Sequence, residues 1–247
     1  MKIISKPSPN FDERTLPISL LVLHYTGMQT GEAALERMCD ETAKVSAHYM
    51  VEEDGRIFQL VDEDKRAWHA GVSEWKGETN INSNSIGIEV VNGGHDWPNK
   101  DGSLPPYPDA QINALIPLCK AIMSRHKIGA DGVVGHSDIA PARKQDPGEH
   151  FPWAGLSAAG IGRFPLSINP DRRALFGAGS RDRGVAIVQR GLAEIGYSAR
   201  VTGVMDEDTR LIIAAFQRRY RPAQIDGVVD METMEIVKWF AERVSAV

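Results

Sequence analysis

The chain predicts an α/β fold, a central mixed β-sheet flanked by helices, followed by a small three-helix C-terminal domain. Three observations carry that prediction: continuous apolar runs of strand length, an Asp-Gly pair between two strand-like stretches, and an internal repeat near the C-terminus. Apolar runs without polar alternation suit strands buried on both faces, as parallel strands usually are. Asp54-Gly55 is a strong two-residue hairpin signal, which adds an antiparallel pair and makes the sheet mixed.

The elements follow in order. Ile18 to His24 is a buried strand, and Gly31 to Asp40 is a helix with Leu35 and Met38 on one face. Ala47–Glu53 and Arg56–Val61 form the hairpin around Asp54-Gly55. Ile86 to Val91 is a second buried strand. From Asp109 to Lys127, Ile112, Leu115, Ile116, Cys119, Ile122 and Met123 recur at helical spacing, with Asp109 as N-cap. Pro117 lies inside that pattern and predicts a kink. Residues 154–180 are rich in Gly, Pro, Ala and Ser without a sustained period, which predicts a linker. Beyond them Val185, Val188, Leu192 and Ile195 make one helical stripe. Gly203 to Thr209 is then echoed by Gly227 to Thr233, and Phe216 and Phe240 each fall seven residues after their threonine. Each repeat predicts a turn, an Asp N-cap and an amphipathic helix. The expected domains are 1–155, the α/β unit; 156–180, the linker; and 181–247, the helical module.

Composition narrows the function. A net charge of -5 argues against a nucleic-acid surface, which needs a basic patch. No apolar run approaches the roughly 20 residues of a membrane span. No export signal is visible either, so the expected compartment is the cytoplasm, or the periplasm if an unseen route exports the protein. Cys39 and Cys119 are far apart in sequence and are expected to be buried thiols.

The chemistry concentrates in the loop from Gly135 to Gly148, which holds His136, Lys144 and Asp146 between Gly and Pro residues. His24 ends one buried strand and Glu89 lies inside another. Two imidazoles and a carboxylate with an open fourth position are the ligand set of catalytic zinc. Such an ion lowers the pKa of its water to about 7. Burial would keep Glu89 basic enough to move a proton, although a paired or edge-strand glutamate fits the same pattern. Lys144 shares a side with Asp146 if that segment is extended, and could stabilise an oxyanion or remain a solvated loop lysine.

Several motifs in order carry a family resemblance: Leu23-His24-Tyr25-Thr26, Ser46 to Val51, Ala67-Trp68-His69-Ala70-Gly71, Asn84 to Glu89, and the Gly135 to Gly148 loop. Over about residues 15–155 the chain resembles the zinc-dependent N-acetylmuramoyl-L-alanine amidases of the type-2 group, related in fold to phage lysozyme-type amidases and peptidoglycan recognition proteins. The resemblance implies that Zn2+ is held by His24, His136 and Asp146. It implies that Glu89 handles the proton and Lys144 stabilises the transition state. It places His48, Trp68 and His69 in or beside the substrate groove, against the alternatives of a buried hairpin histidine and a packed tryptophan. The C-terminal repeat resembles small peptidoglycan-binding domains. The implied reaction is hydrolysis of the amide between the lactyl group of N-acetylmuramic acid and L-alanine, in 1,6-anhydro-muropeptides during peptidoglycan recycling. The implied partners are peptidoglycan fragments. An exported amidase acting on intact wall, a zinc peptidase and a non-catalytic peptidoglycan receptor are the competing readings.

Overall fold

Over residues 2–165, 168 and 170–244, the computed structural model gives this order of elements: β1 (Ile3–Ser5), β2 (Phe11–Glu13), β3 (Leu20–Tyr25), α1 (Gly31–Cys39), β4 (Tyr49–Val51), β5 (Ile57–Gln59), β6 (Lys65–Ala67), α2 (Ile81–Asn84), β7 (Ser85–Val90), α3 (Asp109–His126), β8 (Val133–Gly135), α4 (His136–Ile139), α5 (Trp153–Ala158), β9 (Ala174–Phe176), α6 (Arg183–Ile195), α7 (Glu207–Tyr220), β10 (Val229–Asp230) and α8 (Met231–Val244). They divide into two compact units. The first comprises Met1–Ser73, Asn80–His136 and Asp146–Arg163; the second comprises Glu74–Thr79, Ser137–Gln145 and Phe164–Val247.

In the first unit six strands lie in the order β1-β5-β4-β7-β3-β8. Every neighbouring pair is parallel except β4 and β5, the hairpin pair. The sheet is therefore mixed, as the apolar runs and the Asp-Gly turn require. The two unbroken apolar runs become β3 and β7, which are adjacent and interior to the sheet, so both edges of each are paired. α3 packs against β3 and β4 and buries Leu115, Leu118, Cys119 and Ile122. Two local expectations change. Pro108, not Asp109, occupies the N-cap, so Asp109 opens the helix and meets its dipole without a side-chain cap. The helix runs on through Pro117, the position of the expected kink. Cys119 is buried, but Cys39 is only half-buried, and both are free thiols.

In the second unit the repeat resolves into α7 and α8 with α6 before them, and α6 packs on α8. Asp182, Asp206 and Asp230 cap the three helices by accepting from the N–H groups of Gly184, Thr209 and Thr233. A buried glutamine of the preceding helix braces each repeat turn. Gln189 takes the amides of Thr202 and Gly203 on Oε1, while its Nε2 donates to Thr202 Oγ1, Val204 O and Thr209 Oγ1. Gln217 does the same for Asp226, Gly227, Val228 and Thr233. Gly203 and Gly227 sit at φ of 73° and 69°, where glycine is favoured. The expected linker is more ordered than its composition suggests. It contains the end of α5, and it contains β9, which pairs antiparallel with β10. Its residues 166, 167 and 169 lie outside the described residues. Among the described residues no helix is long and apolar enough to cross a membrane.

Candidate metal centre and active site

β3, β7 and β8 end side by side, which is where side chains leave a sheet to form a cleft. His24 is the penultimate residue of β3, and His136 follows directly after β8. Asp146 returns to them after the loop. The Nδ1 atoms of His24 and His136 are 3.0 Å apart, and each lies 3.0 Å from Asp146 Oδ2. All three residues are buried, and their donor atoms form a group able to hold a metal ion.

Hydrogen bonding shows what these atoms present to one another. Ser85 Oγ donates to the Ile81 carbonyl, so it must accept from His69 Nε2 at 3.1 Å. Burial, and then repulsion from His24, holds the His69 pKa well below the usual histidine range, so the ring is neutral. Its Nδ1 is then a lone pair that accepts from His24 Nε2–H at 3.0 Å. His136 Nε2–H donates to the Ala70 carbonyl at 3.0 Å. Each ring thereby turns its Nδ1 towards the Asp146 carboxylate. Burial alone would raise the Asp146 carboxyl, but His136 and then His24 outweigh it and leave the group well below the usual carboxylate range. Two imidazole nitrogens and a carboxylate oxygen thus converge in a set of the kind that binds a metal ion. Their spacing agrees with the roughly 3.3 Å between donors of a tetrahedral ion bound at about 2.0–2.1 Å. The outer partners also follow the usual pattern, in which a ligating histidine donates its other N–H and so fixes its tautomer.

Glu89 stands opposite His24 in the parallel register of β3 and β7, so the two side chains leave the same face of the sheet. Its Oε2 is sealed from solvent while the residue as a whole is half-buried. Lys144 is half-buried in the turn that closes when its amide donates to Ala140 O. His69 contributes through His24, not at a groove surface. Trp68 is half-buried, and its Nε1 donates to Asp12 Oδ2 at 2.7 Å, bracing the ribbon of β2 and β6. His48 is completely buried. Its Nδ1 accepts from Gly87 N–H and its Nε2–H donates to Lys65 O, so it fastens the hairpin to β7. Burial lowers its pKa to about 3.

Two contributors escaped the sequence reading. Gly87 leaves the space that the His69 ring fills, since a Cβ there would lie 2.4 Å from it. A lone glycine inside a strand pattern is the signal that could have shown this close approach. Tyr25, next to His24, is the other. Its hydroxyl is hydrogen-bonded to His95 Nδ1 at 3.1 Å and pushed up to about 12, by burial first and then by Asp146.

The N-acetylmuramoyl-L-alanine amidase family model matches residues 14–149, a span that contains His24, His48, Trp68, His69, Glu89, His136, Lys144 and Asp146. The chain belongs to that family. A peptidoglycan binding domain model matches residues 181–237 of the amidase. The amidase is 39% identical over 235 residues to N-acetylmuramoyl-L-alanine amidase AmiD of Escherichia coli (strain K12), covering 92% of this chain and 83% of that protein. It is 38% identical over 166 residues to the 1,6-anhydro-N-acetylmuramyl-L-alanine amidase AmpD of Haemophilus influenzae, covering 59% of this chain and 85% of that one. The solved complex of E. coli AmiD with anhydro-N-acetylmuramic acid-L-Ala-D-gamma-Glu-L-Lys superposes with a TM-score of 0.80 at 34% identity, covering 95% of this chain and 98% of that chain. AmpDh3 of Pseudomonas aeruginosa in complex with anhydromuramic pentapeptide gives 0.73 at 33%, covering 96% and 95%. The mixed sheet with flanking helices is thus the fold of these amidases.

Proposed function

We propose that the amidase is a zinc enzyme that cleaves the bond between the lactyl group of N-acetylmuramic acid and L-alanine in 1,6-anhydro-muropeptides, in peptidoglycan recycling. The observation that carries this reading is the 3.0 Å triangle of His24 Nδ1, His136 Nδ1 and Asp146 Oδ2. The substrate named in the AmiD complex and the anhydromuramic pentapeptide in the AmpDh3 complex support the choice of anhydro sugar. In this assignment residues 1–155 are catalytic, 156–180 connect, and 181–247 form a peptidoglycan-binding-like helical domain.

When bound to that triangle, zinc supplies Lewis acidity towards the scissile carbonyl and acidifies water to a pKa of about 7. Glu89, beside His24 on the same sheet face, takes the proton of the attacking water. The Lys144 ammonium stabilises the oxyanion as it forms. Glu89 then returns its proton to the alanine nitrogen, and the stem peptide leaves intact. His69 and Ala70 orient the two imidazoles throughout.

The test is a digest of anhydro-muropeptide and of intact sacculus side by side, with and without chelator, read by mass spectrometry. Intact stem peptide released only from the soluble fragment, and only without chelator, is the expected result. Loss of a single terminal residue would mean a peptidase, and equal release from sacculus would mean an enzyme of the intact wall. Glu89→Gln should keep its metal and lose about 100-fold or more in turnover. Cell fractionation locates the protein, with the cytoplasm expected.

A further inference from the structure

The ten-residue step from His136 to Asp146 joins two proposed metal ligands, yet its interior, Ser137–Gln145, belongs to the second compact unit. The reason is one buried carboxylate. Asp138 is 1% exposed, and both its oxygens are held by residues of the helical repeat region. Tyr197, just past α6, donates its hydroxyl to Oδ1 at 2.6 Å, and Arg219, in the last turn of α7, pairs with Oδ2. Arg219 is itself only 4% exposed. A charge so deeply buried is placed there by its partner, since neither ion of such a pair is stable alone.

A second set of contacts acts on the same stretch. Glu74 N–H donates to the Ile139 carbonyl at 2.8 Å, and Lys76 N–H donates to the Gly196 carbonyl at 2.8 Å. Trp75, between them, packs edge-on against the Tyr197 ring at 5.0 Å. Ile139 is therefore fixed through its backbone to the turn that carries Tyr197. The next residue, Ala140, accepts from the amides of Arg143 and Lys144, so the turn bearing Lys144 is built directly on this anchor.

We propose that Arg219 and Tyr197 are positioning residues for amide hydrolysis: by holding both oxygens of Asp138 they set the segment between the ligands His136 and Asp146, and with it the Lys144 ammonium. On this view the helical region serves the reaction itself, whatever else it binds. The inference rests on the proposed roles of His136, Lys144 and Asp146.

The test uses the full-length chain and four variants. Tyr197→Phe removes one hydroxyl, Arg219→Gln removes the charge, and Arg219→Lys restores charge without the guanidinium fork. Gln217→Ala strips a turn brace from the same helical region without touching Asp138. Below the melting temperature of each, Tyr197→Phe and Arg219→Gln should weaken metal binding about 10-fold in competition with a chromophoric chelator. They should also speed amide exchange across 138–145 and lower kcat more than they raise KM. Arg219→Lys should recover part of each loss, and Gln217→Ala should match the wild type in metal affinity and in kcat and KM. Wild-type metal affinity and exchange in folded Arg219→Gln or Tyr197→Phe would overturn the proposal, as would equal losses of metal affinity and kcat in Gln217→Ala. If Arg219→Gln does not fold, Tyr197→Phe decides. A wild-type protein that releases no stem peptide would sink the proposed function, but the metal-affinity and exchange readouts would still judge this inference.

Discussion

Gly87 is a glycine because the His69 ring occupies the place its side chain would take. Gly87→Ala should cost about 1–3 kcal/mol as an overpacked site. Because His69 orients His24, the same change should weaken metal binding about 10-fold, which chelator competition would register. A variant that melts early yet binds metal normally would separate packing from ligand orientation. His48 makes a prediction about acid. It is neutral in the folded chain down to about pH 3, whereas an unfolded imidazole takes a proton below about pH 6.5. Between those values the unfolded state binds more protons, so stability falls as pH falls. This one residue should contribute a slope of about 1.4 kcal/mol per pH unit in urea titrations. His48→Asn, which can still accept from Gly87 N–H, should flatten the curve by that amount; parallel curves would mean that the ring titrates normally.

At the level of elements, the C-terminal repeat is explained by what precedes each turn. Asp206 and Asp230 are visible as caps because a cap and its amides are three residues apart. The brace on each turn is less visible, since Gln189 lies 14 residues before Gly203 and Gln217 lies 10 before Gly227. Removing either amide side chain strands two turn N–H groups and a carbonyl away from water. Gln189→Ala and Gln217→Ala are each expected to destabilise the chain by about 2–4 kcal/mol, at the upper end for buried polar deletions. Denaturant unfolding would measure it, and a loss under 0.5 kcal/mol would show that water replaces the amide. The structure of residues 156–180 was hidden for a related reason. β9 has almost no pattern of its own and becomes a strand only by pairing with β10, more than 50 positions later.

At the scale of the molecule, the proposed metal triangle ties together groups 112 and 122 positions apart in the chain. Any ion bound there stabilises only the folded state. At a free concentration 1,000-fold above its Kd, the gain is about 4 kcal/mol. Chelation should therefore lower the melting temperature of the wild type but leave Asp146→Ala unchanged, and that variant should lose bound metal and activity together. An Asp146→Ala protein with full metal content would remove this carboxylate from the ligand set. The linear division expected from composition also meets a constraint of the whole chain. Glu74–Thr79 and Ser137–Gln145 are drawn into the second unit by hydrogen bonds and a buried ion pair, not by nearness in sequence.

The amino-acid sequence by itself determined what depends on neighbours a few residues away: the two buried strands, the Asp-Gly hairpin, the helix stripes, the aspartate caps and the run of motifs that marks the family. Those features arise from periodicity, turn geometry and capping, which are local. The tertiary structure alone decided which groups face one another. It put Glu89 level with His24 through the register of β3 and β7, buried His48 beneath the hairpin, turned His69 into the partner of His24, and gave Asp138 to Arg219 and Tyr197. Each of those contacts spans at least 39 positions. Such a contact exists only once the sheet register and the packing of a second unit have placed both residues.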